Sequence, residues 1–340
     1  MKFAIMRNVV LAIVAISARA TLANESLAPA AVFDFVDAGG NRPAVVSGVA
    51  VSPDGALLAA VGDDHVVRVY DTQRMTQVRR FDEHRDWVRG VAFAPAGDRL
   101  VTVGNDCSYC VFCPQDGRLI KAQRGGEGAL RAVAIDAEGE LFATVGYQTH
   151  AQICRLTGEA TERLDCPCRD TCAACISVDG TRLAVGGRNG RVRLFDLSNA
   201  AAPPLDIEAS TRRVRALAFS GDGGRLAVGG DGPEVKFFDT TTGGEVAAWP
   251  TRPAKVFCLR YIDDNHLAVG GTDNTIHIWN ITSQTIERQL AGHTGTVTSL
   301  SSDASGRLLA SGSFDTTVRL WNLDPQASNL AKQQTEHPVR

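Results

Sequence analysis

The feature that most restricts how this chain can fold is one phrase written seven times. Turn residues Gly55, Gly97, Gly139, Gly180, Gly223, Asn265 and Gly306 succeed one another at spacings of 42, 42, 41, 43, 42 and 41 residues. Around each, an apolar segment runs into the turn, an Ala/Gly-rich segment leaves it, and an alternating segment closes on an aromatic. The first copy reads VSGVAVSPDG then ALLAAVGDDHVVRVYD, and the seventh VTSLSSDASG then RLLASGSFDTTVRLWN. Segments of five to eight residues rich in Val, Leu, Phe and Tyr, separated by Asp-Gly, Asn-Gly and Gly clusters, read as strands. A length of 340 residues alone suggests two domains, but a fixed period overrides length. One short sheet cannot bury both of its apolar faces; stacked neighbours can, and a closed ring leaves no unit uncovered.

Aligning the copies predicts which positions pack. Val88, Leu130, Cys172, Val214, Val256 and Val297 fall in one inner-strand column, and Val49, Val91, Val133, Cys175, Leu217, Leu259 and Leu300 in another. Gly48, Gly90, Ala132, Ala174, Ala216, Cys258 and Ser299 form a small-residue column that lets the innermost strands crowd towards the axis.

The phrases LASGSFDTTVRLWN and LAVGGTDNTIHIWN resemble the WD-repeat (WD40) family, over residues 31–323. The resemblance implies an all-β fold: a seven-bladed β-propeller of four-stranded antiparallel blades, with an N-terminal strand, here within residues 31–37, completing the last blade. It also implies a buried hydrogen-bonded group of His, Ser/Thr, Asp and Trp in a repeat. His293, Ser311, Asp315 and Trp321 match it fully. His84, Thr102 and Asp106 match in part, with Phe112 in the Trp position. The sixth repeat keeps Asp273 and Trp279 but has Arg252 in the His position, and the third has Gln148 and Cys154 in the Asp and Trp columns. Partners of this family often use the face carrying the loops before the inner strands and the turns before the Asp column. The matching positions are Arg85, Trp87, Tyr147, Arg188, Arg213, Lys255 and Phe314. The function implied is non-enzymatic: a monomeric scaffold for protein or peptide partners, without cofactor. The alternative is a propeller enzyme, or an anion- or metal-binding module using the cysteine-rich sector or the central channel, where Arg89, Arg131, Arg215 and Arg260 are scattered among small and apolar residues.

Charge argues against other classes. Thirty-five basic against 38 acidic residues give no excess to attract nucleic acid or an anionic membrane. The N-terminus has the layout of a secretory signal peptide (residues 1–23): Lys2 and Arg7, an uncharged apolar run from Val9 to Ile16, and cleavage after Ala20 or Ala23. Losing residues 1–20 removes Lys2, Arg7 and Arg19 and leaves 32 basic against 38 acidic. An exported, periplasmic or extracellular protein is expected, with an uncleaved anchor as the alternative. A linker (24–30) precedes the ring, and a polar tail (324–340) follows it.

Eight of the nine cysteines lie between Cys107 and Cys175, in C-x-x-C and C-x-C spacings that suit zinc or an iron–sulfur cluster. In an oxidising compartment, accessible cysteines pair. Cys107, Cys110, Cys113, Cys166 and Cys168 are read as the accessible ones, leaving disulfides, free thiols and a metal site open. Cys154, Cys172, Cys175 and Cys258 sit in packing columns and are read as small buried hydrophobes. No His stands in a recognisable catalytic arrangement with Ser, Cys or a carboxylate, and the Gly clusters lack the Lys-Ser/Thr of a phosphate loop.

Overall fold

The computed structural model describes residues 25–36, 43–158, 161–168, 170–199, 201–251 and 254–324. The expected signal peptide, Asp37 of the closing segment, Arg252 and residues 325–340 of the tail lie outside them. Every regular element among the described residues is a strand. The strands form seven antiparallel blades whose inner strands are Val46–Val51, Val88–Phe93, Leu130–Ile135, Thr171–Ile176, Val214–Phe219, Val256–Asp263 and Val297–Ser302.

Ring closure follows the expected route. Ala31–Asp34 pairs antiparallel with Thr317–Asn322, Ala31 opposite Leu320 and Asp34 opposite Thr317, so both ends of the chain build blade seven. Phe35, fully buried, then plugs the core between blades seven and one. Hydroxyls seal the same seam: Ser299 and Ser301 accept from the Val49 and Val51 amides at 3.1 and 3.0 Å, and Thr298 donates to the Val46 carbonyl at 2.7 Å. The linker reading of residues 24–30 needs correction. Glu25–Leu27 is a fifth strand on blade six, parallel to Thr285–Leu290, with Leu27 opposite Leu290.

Apolar clusters lie between successive blades. The second strands supply a buried Leu or Phe in every blade: Leu58, Leu100, Phe142, Leu183, Leu226, Leu267 and Leu309, all at zero exposure. Each covers the facing third strand's aromatic-column residue, from Tyr70 to Trp321. The glycines of the inner hairpins (Gly55, Gly97, Gly139, Gly180, Gly223 and Gly306) have φ between 67° and 73°, a conformation that costs a side-chain-bearing residue energy. Asn265 instead sits in a two-residue turn between paired Asp263 and His266.

Blade four slips by one residue against the sequence columns. Thr171, not Cys172, pairs with the glycine that ends the second strand, as Val88 and Leu130 do. Ala173 then takes the small column and Ala174 the next. Thr171 is fully buried because its hydroxyl donates to the Gly146 carbonyl at 2.7 Å and accepts from the Gly146 amide at 3.0 Å. A polar residue thus occupies an apolar column by satisfying itself on the preceding blade.

Candidate functional site

All seven inner strands break register after their first residue. Such a bulge leaves one residue outside the ladder and re-aims its side chain. The bulged residues are Ser47, Arg89, Arg131, Cys172, Arg215, Phe257 and Thr298, and all seven line one cavity of about 250 Å³ at the mouth of the central channel. Arg89, Arg131 and Arg215, scattered in the sequence, therefore belong to one ring. Arg260 lies further along its strand and donates to Ser302 at 3.0 Å.

Above this ring stand the loops that precede the inner strands and the turns that follow the second strands. A recurring bond stitches them: the amides of Asn105, Tyr147, Asp231, Thr272 and Phe314 donate to the carbonyls of Trp87, Ala129, Arg213, Lys255 and Thr296 at 2.8–3.1 Å. The expected face residues thus share one end of the ring. Arg85, Tyr147, Arg188, Lys255 and Phe314 are exposed, while Trp87 and Arg213 are half-buried. Tyr147 and Phe314 are 51% and 49% accessible, large values for aromatic side chains. Arg188 reaches Asp170 at 3.4 Å. Trp87 carries the Arg89 guanidinium 4.1 Å over its ring, and Arg131 donates to the Tyr147 hydroxyl at 3.0 Å. Arg215 sits 4.4 Å over Phe257, whose ring meets Phe314 edge-on at 6.2 Å. Nothing in the sequence marks Phe257 or Cys172 as part of this face; the bulges place them there.

The same loops are anchored from below by buried polar groups. In blade seven, His293 Nδ1 lies 2.8 Å from Asp315 and Nε2 lies 2.7 Å from the Ser311 hydroxyl, which also accepts from Trp321 Nε1 at 2.8 Å. An ionised carboxylate only accepts, so Nδ1 carries the proton and Nε2 accepts from Ser311. Burial opposes charge on Asp315, yet bonds from Thr317, the Thr294 amide and His293 hold its pKa down at about 2. Burial also lowers the pKa of His293 and keeps the ring neutral. Blade two repeats the chain through His84, Thr102 (2.8 Å) and Asp106 (3.0 Å) without the indole; Phe112 stacks on Phe81 instead. Elsewhere other groups tie the turn. Asp64 pairs with Arg68 at 2.5 Å, Asp273 with His277 at 2.7 Å, Asn189 donates to the Pro167 carbonyl at 3.1 Å, and Gln148 donates to Gly128 at 3.4 Å.

The cysteines do not converge. All nine are free thiols, and among the described residues no group of three or more His, Cys, Asp or Glu is placed to hold a metal. The accessibility expected of Cys110, Cys166 and Cys168 is corrected: all three are buried. Cys110 faces the interblade cluster with Phe81 and Phe112, where burial pushes its thiol up to about 12. Cys107 and Cys113 are half-buried at opposite ends of the Tyr109–Phe112 strand, too far apart to pair. Cys166 accepts from the Cys168 amide at 3.4 Å, and Cys168 donates to the Arg191 carbonyl at 3.4 Å. Cys166 is the more acidic of that pair, its thiol lowered by the neighbouring Cys168 side chain against the effect of burial. Cys154, in the Trp column, is fully buried, and burial pushes its thiol up to about 11.

Five segments of the chain (residues 39–71, 75–113, 164–196, 248–280 and 284–322) match the family described as WD domain, G-beta repeat. The chain belongs to the WD40 family. The unmatched stretches cover blade three, with Gln148 and Cys154 in its columns, and blade five, with Gly232 in the Asp column. No curated protein matches the chain. On this WD40 propeller, the face built on the bulge ring presents the aromatic rings of Tyr147 and Phe314 outward.

Proposed function

We propose that this WD40 propeller is a non-enzymatic, exported scaffold that binds a protein or peptide partner on the face formed by Trp87, Tyr147 and Phe314, and that it does so as a monomer without cofactor. One observation carries the reading. Two half-exposed aromatics and a third braced by an arginine share one end of a rigid ring, around a concave mouth. Aromatic and Arg side chains supply much of the binding energy of protein interfaces, and a rigid frame lowers the entropy lost on binding. The ring's own groups are guanidinium, aromatic, hydroxyl and thiol, suited to holding a ligand in place. The signal-like N-terminus supports export, so its partners would be envelope or extracellular proteins.

The test is affinity capture with the mature chain and with Trp87→Ala and Phe314→Ala. Loss of one interface aromatic is expected to weaken capture about tenfold or more. Equal recovery of the same partners by all three proteins would remove the face from consideration. Mass measurement of the exported chain checks the leader: a start at Thr21 or Asn24 is expected.

A further inference from the structure

The ring of bulged residues carries unbalanced charge. Arg215 is neutralised by Asp231, Nε to Oδ1 at 2.6 Å and Nη2 to Oδ2 at 3.3 Å. Arg89 and Arg131, on adjacent blades, have no carboxylate partner within ion-pair distance among the described residues. Each donates to a neutral oxygen: Arg89 Nε to Asn105 at 3.0 Å, and Arg131 Nη1 to the Tyr147 hydroxyl at 3.0 Å. Their strands run close, a Cβ placed on Gly90 coming within 3.2 Å of the Arg131 carbonyl. Burial, and then the Arg131 charge, lower the pKa of Arg89 below the ordinary guanidinium value, against the weaker opposing pull of Tyr147, Asp86 and Asp63. Two like charges held together in a half-dehydrated mouth disfavour the fold. Aromatic rings brace both, Trp87 under Arg89 at 4.1 Å and Tyr147 beside Arg131 at 5.7 Å, and both line the same cavity. Oriented guanidiniums with unused N–H groups and no carboxylate in contact are complementary to an oxyanion.

We propose that Arg89 and Arg131 form an oxyanion subsite that grips a carboxylate or phosphate carried by the bound peptide. This rests on the reading that the face binds peptide, and it adds what the peptide must bring: a negative charge that enters the channel mouth between Trp87 and Tyr147. Arg215, already paired with Asp231, stays out of the grip and braces Phe257.

The experiment is fluorescence anisotropy of the mature chain with labelled hexaglutamate, hexaglutamine and a phosphoserine–glycine peptide at fixed ionic strength. The proteins are wild type, R89Q, R131Q, R89Q/R131Q and, as a charge control, R307Q on the hairpin at the opposite end of the ring. Either anionic peptide is expected to bind more tightly than hexaglutamine. Each single substitution is expected to weaken that binding about tenfold, the double substitution to bring it to the hexaglutamine level, and R307Q to leave it unchanged. Tighter binding of the phosphoserine peptide assigns the oxyanion to phosphate, and tighter binding of hexaglutamate assigns it to carboxylate. A second readout guards against misfolding. R89Q is expected to melt at or above the wild-type temperature, and inorganic phosphate is expected to raise the wild-type melting temperature but not that of the double variant. Anionic binding that is equal in wild type and R89Q/R131Q, or no tighter than hexaglutamine for both anions, overturns the subsite. Partner capture lost in Trp87→Ala but kept in R89Q/R131Q overturns the subsite and leaves the face standing; capture lost in neither overturns the face.

Discussion

Ser311 is the joint of the blade-seven polar chain, and its removal has a calculable cost. Its hydroxyl, at zero exposure, donates to His293 Nε2 and accepts from Trp321 Nε1. Ser311→Ala leaves two buried polar atoms unpaired, an imidazole acceptor and an indole donor. Each orphan costs about 1–3 kcal/mol, so the loss is about 4 kcal/mol in all. Blade two supplies an internal reference. Thr102 bonds His84 Nε2, but Phe112 replaces the indole, so Thr102→Val keeps the shape and orphans one atom. Its cost is about 2 kcal/mol. At roughly 2 °C per kcal/mol for a chain of this size, the melting temperature should drop by about 8 °C and 4 °C respectively. Circular dichroism at neutral pH reads both, and indole fluorescence follows the blade-seven end. Adding Trp321→Phe to Ser311→Ala should recover part of the loss, because the stranded donor is gone. A Ser311→Ala variant no less stable than Thr102→Val would refute the double hydrogen bond at Ser311.

Three further outcomes follow from the same geometry. Phe35→Ala, which empties the site between blades seven and one beneath the Arg68 guanidinium 4.3 Å from the ring, should cost about 3–5 kcal/mol in a urea melt, whereas Val32→Ala on the exposed side of the same strand should stay within about 0.5 kcal/mol; equal effects would deny the closing strand its role. His293 has its folded pKa below the ordinary 6.5, so the unfolded chain takes up the proton first and stability should fall as the pH drops below that value. Asp315 adds a second loss between 3.8 and about 2, on the order of 2 kcal/mol. A melting temperature flat from neutral pH down to pH 5 would contradict the first of these. Thiol titration in denaturant without reductant should find all nine cysteines, and in the folded protein only the half-buried Cys107, Cys113, Cys172 and Cys175 should react ahead of the five buried ones; fewer than nine in denaturant would mean disulfides.

The period made the ring legible, because a turn that needs positive φ at glycine repeats wherever the inner hairpin repeats. The His–Ser–Asp–Trp group was legible for a similar reason: its members are chemically unlike their neighbours and keep fixed offsets. The bulges were not legible, since a register break alters no residue type. No residue type therefore marks Arg89, Arg131, Cys172, Arg215 and Phe257 as equivalent positions. Blade four was misread by one residue because a buried threonine looks polar while the cysteine beside it looks apolar. Cys110 was misread in the other direction. Its column holds arginines in other blades, but in blade one that arginine, Arg68, is buried too and answers Asp64 and the closing strand. Column membership shows where a side chain starts, and its neighbours decide whether it meets water.

The short parallel strand Glu25–Leu27 has a geometric consequence for whatever is joined to the chain ahead of it. It lies along the outermost strand of blade six, so the polypeptide enters the fold at the circumference of the disc. A leader, a lipid tether or an experimental tag placed before residue 25 is attached to the rim, like a string to the edge of a coin. Both flat sides stay open from that attachment, and a chain held to a surface in this way would stand on edge.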